Sequence, residues 1–227
     1  MKLLRAEELE RSDIVANCRM NRERQLIGTN SYSRDLKLDI LAFLQRPKQN
    51  KPVKWIDLCC GTGRALLEAA KELESQSRTG AFQIEGVDLA GLFLLNDFPR
   101  TVKLARATIE NWSPKGPYAL ATCVHGLHYV GDKLSAISKI VRSLTSDGLF
   151  VAKLDLANFR KPDGKPAARI ITAKFRELGL DYDARTRLLM CHGKREVAFK
   201  LRYLGADDSA GPNYTGQPAV HSYYDSL

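Results

Sequence analysis

Apolar positions follow two rhythms that alternate along the chain. Short runs rich in β-branched and aromatic residues read as strands: VKWIDL at 53–58, FQIEGVD at 82–88, VKLARA at 102–107, YALATCV at 118–124 and GLFVAKLD at 148–155. Between them the apolar residues shift to helical spacing. Leu66, Leu67, Ala70 and Leu73 predict a helix over 63–76, Leu134, Ile137, Ile140, Val141 and Leu144 one over 132–145, and Ile170, Ile171, Phe175 and Leu178 one over 167–178. Gly148 and Gly179 stand where helix ends want a residue tolerant of positive φ. Strand and helix in alternation is the pattern of a mostly parallel sheet wrapped by helices, an α/β organisation.

The flanks break this rhythm. Before the first strand, helical stretches over about 6–26 and 33–45 surround the polar turn GTNSY and end in the linker-like RPKQNKP, which predicts an N-terminal helical cap over 1–50. After Gly179, two period-2 runs at 181–190 and 195–204 joined by CHGK read as a hairpin that closes a core over 51–206. The remaining 207–227 carries glycine and proline breaks without periodicity, so an irregular tail is expected, pinned by Tyr214, Tyr223 and Tyr224.

Composition narrows the class. A chain of 227 residues can bury one full core, and 44% apolar with 27% charged residues is ordinary for a water-soluble fold. No apolar run reaches the roughly 18–20 residues of a membrane span. The start, MKLLRAEELERSD, shows no secretory signal, and a cytoplasmic location is expected. Cys18, Cys59, Cys60, Cys123 and Cys191 are odd in number and lack CxxC spacing, which suits reduced thiols better than disulfides or zinc. No metal is expected, since Asp207 and Asp208 have no evident converging ligands. The net charge of +9 is spread along the chain and not interleaved with aromatics, so a nucleic-acid partner is the lesser expectation and no membrane partner is expected.

The chemistry concentrates in Val53 to Ala70, VKWIDLCCGTGRALLEAA, where a strand ends in an acid, turns through two glycines and enters a helix. Gly61 and Gly63 let the backbone turn tightly and approach a ligand, and Asp57 sits at the carboxyl edge of the sheet, where ligands settle. Leu66 replaces the third glycine of a dinucleotide fingerprint, and no GxxxxGK[ST] occurs, so pyrophosphate and nucleoside triphosphate are disfavoured.

This stretch resembles the first motif of class I S-adenosylmethionine-dependent methyltransferases, D-x-x-x-G-x-G, through Asp57, Gly61 and Gly63. The resemblance covers about residues 50–204. It implies a Rossmann-like, doubly wound, mostly parallel seven-stranded sheet ending in an antiparallel hairpin strand, with S-adenosyl-L-methionine as cofactor. Asp88, followed by Leu89, then corresponds to the acid that ends the second strand and binds the ribose hydroxyls. At the third strand the family often carries Asp beside the adenine. Thr108 and Ile109 stand here, which leaves that contact to backbone groups and to apolar packing by Ile109 and Trp112. The resemblance also draws Cys59 and Cys123 to the cofactor site.

Methyl transfer needs mainly an aligned nucleophile and a dry site, and a histidine base helps when the acceptor must lose a proton. His125 and His128, in CVHGLHY after the fourth strand, are the candidate catalytic residues, though neutral histidines serve equally well as loop-shaping hydrogen-bond partners. Tyr129 is a candidate wall of the same cavity. In the cap, Tyr32 is placed to cover the methyl group, and Arg24 or Arg34 to pair with the methionine carboxylate. The sequence lacks [DN]PPY and a Pro-Cys pair, so base methylation is disfavoured and a small-molecule or peptide acceptor is expected. The alternatives are an RNA methyltransferase using the basic surface and a non-catalytic cofactor-binding or scaffold protein. No motif reveals the acceptor, the atom methylated or the oligomeric state.

Overall fold

The computed structural model describes residues 3–16, 23–46, 52–76, 81–94, 98–209, 211–214 and 216–226. Cys18 and the linker residues 47–51 lie outside the described residues.

Its centre is a seven-stranded sheet in the order β3-β2-β1-β4-β5-β8-β7. The strands are β1 (Val53–Leu58), β2 (Phe82–Asp88), β3 (Val102–Arg106), β4 (Tyr118–Cys123), β5 (Leu144–Lys153), β7 (Asp181–Asp183) and β8 (Leu188–His192). The first five are parallel, and β8 and β7 run antiparallel at one edge. Both faces are covered, so the inner strands read as continuous apolar runs: every residue of β4 is buried.

The pleat divides β1 between two cores. Val53 and Trp55 face the helices α3 (Tyr32–Leu36), α4 (Ile40–Leu44) and α5 (Arg64–Ser75). Ile56 and Leu58 face α6 (Lys133–Arg142) and α7 (Ala168–Glu177). Helix α5 follows the glycine turn and buries Ala65, Leu66, Ala69, Ala70 and Leu73 on one stripe, each leucine contributing about 1.5–3 kcal/mol.

The structure revises the flanks. The 6–26 stretch opens as two short helices, α1 (Ala6–Glu10) and α2 (Asp13–Ala16), and residues 17–22 lie outside the described residues. The 33–45 stretch is broken between α3 and α4, because Lys37 adopts left-handed φ of 52° and Asp39 caps a new helix by accepting from the Ala42 amide at 2.9 Å.

The predicted hairpin also changes partners. The 181–190 run folds on itself, β7 against β8, while CHGK, the expected turn, is the end of β8 (Cys191 and His192) and the two residues after it, where Gly193 has φ of 74°. Leu201–Asp207 leaves as β9 for a second, three-stranded sheet, β6-β10-β9, with β6 (Phe159–Arg160). The third member is β10 (His221–Ser226), so the end of the expected irregular tail is a paired strand that buries Ser222, Tyr223 and Tyr224. No described helix is long and apolar enough to cross a membrane.

Candidate functional site

Strand order reverses between β1 and β4, where neighbouring connections leave to opposite faces and open a crevice at the carboxyl ends of the strands. The turn after β1 fills one side of it. Cys59, Gly61 and Gly63 all hold positive φ, at 58°, 61° and 75°. A Cβ on Gly63 would fall 2.5 Å from a Leu104 methyl, so position 63 is closed to side chains by packing as well as by backbone conformation. Gly126, which the sequence reading passed over, is as constrained: a Cβ there would lie 2.1 Å from Cys59 Cβ.

The cleft, with the solvent-open space at its mouth, takes in about 880 Å³. Asp88 stands in its wall, mostly buried at 9% exposure. Its carboxylate is fixed from behind, one oxygen accepting from the Gly61 amide at 3.0 Å and the other from the Ala90 amide at 2.9 Å. Each oxygen keeps acceptor capacity toward the cleft. Leu89, Thr108 and Ile109 line the same cavity, as do Cys59, Gly61, Tyr32, Arg24, His125 and Tyr129.

Four expectations are revised. Asp57 does not reach the cavity: it is fully buried, accepting from the Tyr32 hydroxyl at 2.7 Å and the Thr122 hydroxyl at 2.5 Å, while Trp55 Nε1 donates to Thr122 at 2.8 Å. Burial pushes its carboxyl up to about 7, against the pull of the Thr122 and Tyr32 hydrogen bonds. Gly63 also lies behind the lining, as the N-cap of α5. Cys123 is fully buried and meets the Cys59 thiol, whose pKa rises through that contact first and through burial second. Trp112 stacks on Tyr118 at 6.4 Å between centroids, away from the lining, because β3 ends before it and the chain turns into the core.

The histidines separate into two depths. His125 lines the cleft, and His128 lies beneath it at 1% exposure. The His125 Nε2 is 3.5 Å from Asp35 Oδ2, too long for a formed hydrogen bond, and neither ring nitrogen has another partner among the described residues. Burial lowers its pKa, with Asp35 opposing. His128 Nδ1 meets the Asn158 amide at 3.1 Å, and Nε2 has no described partner. Burial drives His128 well below its ordinary value, with His125 adding repulsion, so both rings are neutral at pH 7.

Arg24 pairs with Asp35 and donates to Asn30 Oδ1 at 2.6 Å, which fixes it in the cleft wall. Arg34 donates to the Thr29 carbonyl at 2.8 Å and stays off the lining. The sequence reading missed the far wall, built by Leu9, Glu10, Val15 and Glu110. It also missed Lys139, whose ammonium donates to the carbonyls of Ile109, Glu110 and Trp112 at 2.8–2.9 Å and shapes that wall from below. Amphipathic spacing in 6–16 was the readable trace of the first; a lysine on a helix face left none of the second.

The sequence profile of a family described as a methyltransferase domain matches residues 23–193. No curated protein matches. Among solved structures, the plantazolicin methyltransferase BpumL in complex with SAH is 16% identical, with TM-score 0.39, over 49% of this chain and 42% of that one. The [4+2]-cyclase SpnF is 15% identical, with TM-score 0.46, over 92% of this chain and 76% of that one. A phosphoethanolamine N-methyltransferase of Haemonchus contortus is 16% identical, with TM-score 0.43, over 66% and 35%. The chain thus spans about two fifths of the BpumL chain it matches.

Proposed function

We propose a function from one premise: the chain belongs to the methyltransferase-domain family. It is an S-adenosylmethionine-dependent methyltransferase, and its acceptor is a small molecule or peptide. The observation that carries the reading is the Asp88 carboxylate, held by the Gly61 and Ala90 amides at the wall of a cleft beside the glycine turn.

The residues present fit the donor. A carboxylate in the wall suits paired hydroxyls and repels phosphates, which supports an adenosyl group over a dinucleotide. Leu89 and Ile109 offer apolar surface to a flat base, and Arg24 offers a guanidinium to a carboxylate at the opposite end. Asp57 acts at one remove, as a positioning residue that holds Tyr32 against the cleft. When bound, the sulfonium supplies an already activated methyl group. The chain's own task is to hold the acceptor in line, exclude water and, where needed, receive a proton. His125, neutral and in the lining, is the group placed to accept that proton, and His128 supports the floor beneath it.

Calorimetry with S-adenosylhomocysteine on the purified chain tests the donor, with binding expected. Mass spectrometry of S-adenosylhomocysteine formed with a mixed acceptor pool tests turnover. Heat with a nicotinamide dinucleotide and none with the adenosyl compounds would overturn the reading.

A further inference from the structure

Beside the two histidines, outside the described lining of the donor cleft, stands a cluster that the donor leaves unused. The Tyr214 ring packs 5.7 Å from His128 and 6.5 Å from His125, centroid to centroid. The Arg187 guanidinium lies over the Tyr214 ring, its carbon 4.2 Å from the centroid. Lys153 approaches from the end of β5 and spends one of its three donors on the Thr186 carbonyl at 2.7 Å.

Arg187 forms no ion pair with any described carboxylate, and neither does Lys153. Three acids stand nearby at longer range, two of them acting on Lys153, and each has a nearer partner of its own. Asp35 is taken by Arg24, and Asp155 accepts from the Ala157 amide at 3.0 Å. Asp183 accepts from the Arg185 amide at 2.8 Å and the Thr186 hydroxyl at 2.7 Å. Burial depresses the Lys153 ammonium, Asp35 opposes that shift, and Lys37 and Arg187 add repulsion. Below them, the Asn158 amide donates to His128 Nδ1, which assigns the proton to Nε2 and leaves a buried donor without a described acceptor.

We propose that Arg187, Lys153 and Tyr214 form the acceptor's binding site, and that the acceptor is a small carboxylate whose anionic end pairs with Arg187 and Lys153 while its reacting end faces His125. Arginine's planar fork matches a carboxylate, and Tyr214 both holds that fork flat and offers a ring face to the body of the ligand. The inference rests on the methyltransferase reading for the word acceptor; the anion site itself rests on the side chains named.

The test is calorimetry on the full chain saturated with S-adenosylhomocysteine, titrated with benzoate, benzamide and phenyl phosphate. Benzoate is expected to bind and benzamide not to. Arg187→Gln should weaken benzoate by about tenfold or more, with the affinity for S-adenosylhomocysteine kept within about twofold. Tyr214→Leu, which keeps both cations, should weaken benzoate less. Equal heats for benzoate and benzamide, tighter binding of phenyl phosphate, or benzoate affinity indifferent to Arg187→Gln would each overturn the proposal. Absence of heat with S-adenosylhomocysteine sinks the donor reading separately, and benzoate titrated into the chain alone then still reads the anion site.

Discussion

The Tyr32 hydroxyl donates to the Asp57 carboxylate at 2.7 Å, tying the start of α3 to the end of strand β1 beneath the cleft. Twenty-five positions separate the two residues, and both are buried. The bond places the tyrosine ring in the lining and supplies one of the two hydrogen bonds that the carboxyl group accepts.

Tyr32→Phe keeps the ring and deletes the donor. With one Asp57 oxygen left unsatisfied in the core, the variant should lose about 1–3 kcal/mol of stability, read from urea unfolding. A stability equal to wild type would show that the cap does not depend on this bond.

Asp88→Asn keeps the size of the side chain and removes its charge. S-adenosylhomocysteine affinity should fall about tenfold to a hundredfold, the loss of charge-assisted hydrogen bonds to two hydroxyls. Far-ultraviolet circular dichroism should be unchanged. Undiminished calorimetric affinity would remove Asp88 from the ribose.

The two histidines should respond differently. His125→Ala should lower kcat by about a hundredfold or more where the acceptor must lose a proton, with donor affinity little changed. His128→Ala should also lower turnover with donor affinity nearly intact, but through a loosened floor, so its loss should accompany a lower Tm. Identical turnover for His125→Ala and wild type on such an acceptor would exclude His125 as base.

Acid should weaken the fold through His128. Its folded pKa lies well below the ordinary 6.5, so under pH 6.5 the unfolded chain takes up a proton that the folded one refuses. The stability of wild type relative to His128→Gln should therefore be flat above about pH 7.5 and decline below pH 6.5, by up to about 1.4 kcal/mol per pH unit. Asp57 works in the opposite sense between pH 3.8 and about 7, where its folded carboxyl holds a proton the unfolded chain has lost, and the paired comparison cancels it. A difference that does not vary with pH would contradict the neutral, buried assignment.

Local pattern made the centre of the fold legible. VKWIDL, FQIEGVD and YALATCV are strands close to the bounds their composition suggests, and Leu66, Ala70 and Leu73 face the core as helical spacing required. Leu67 sits only partly buried at the edge of that stripe. Pairing across long separations left weaker traces. The alternation of 195–204 signals a strand but not its partner, which lies in 221–226, and a second sheet decided the outcome. The site was read from its glycines and acids in the right order, yet depth was hidden. Nothing in D-L-C-C-G-T-G distinguishes an acid lining a cleft from one buried beneath it, and the Tyr32 and Thr122 bonds settle Asp57 as the latter.

Lys133 is fully buried, its ammonium donating to the carbonyls of Val130 and Val220 and to the Ser222 hydroxyl, which in turn donates to the Gly131 carbonyl. The wall at 130–131 is thus tied to segments about ninety positions later. During synthesis the chain builds its central strands in sequence, but it cannot finish the cleft until the segment around 220–222 has emerged and docked. A nascent or clipped chain lacking that stretch would hold a nearly complete sheet and an unfinished ligand site, which separates the birth of the fold from the onset of its activity.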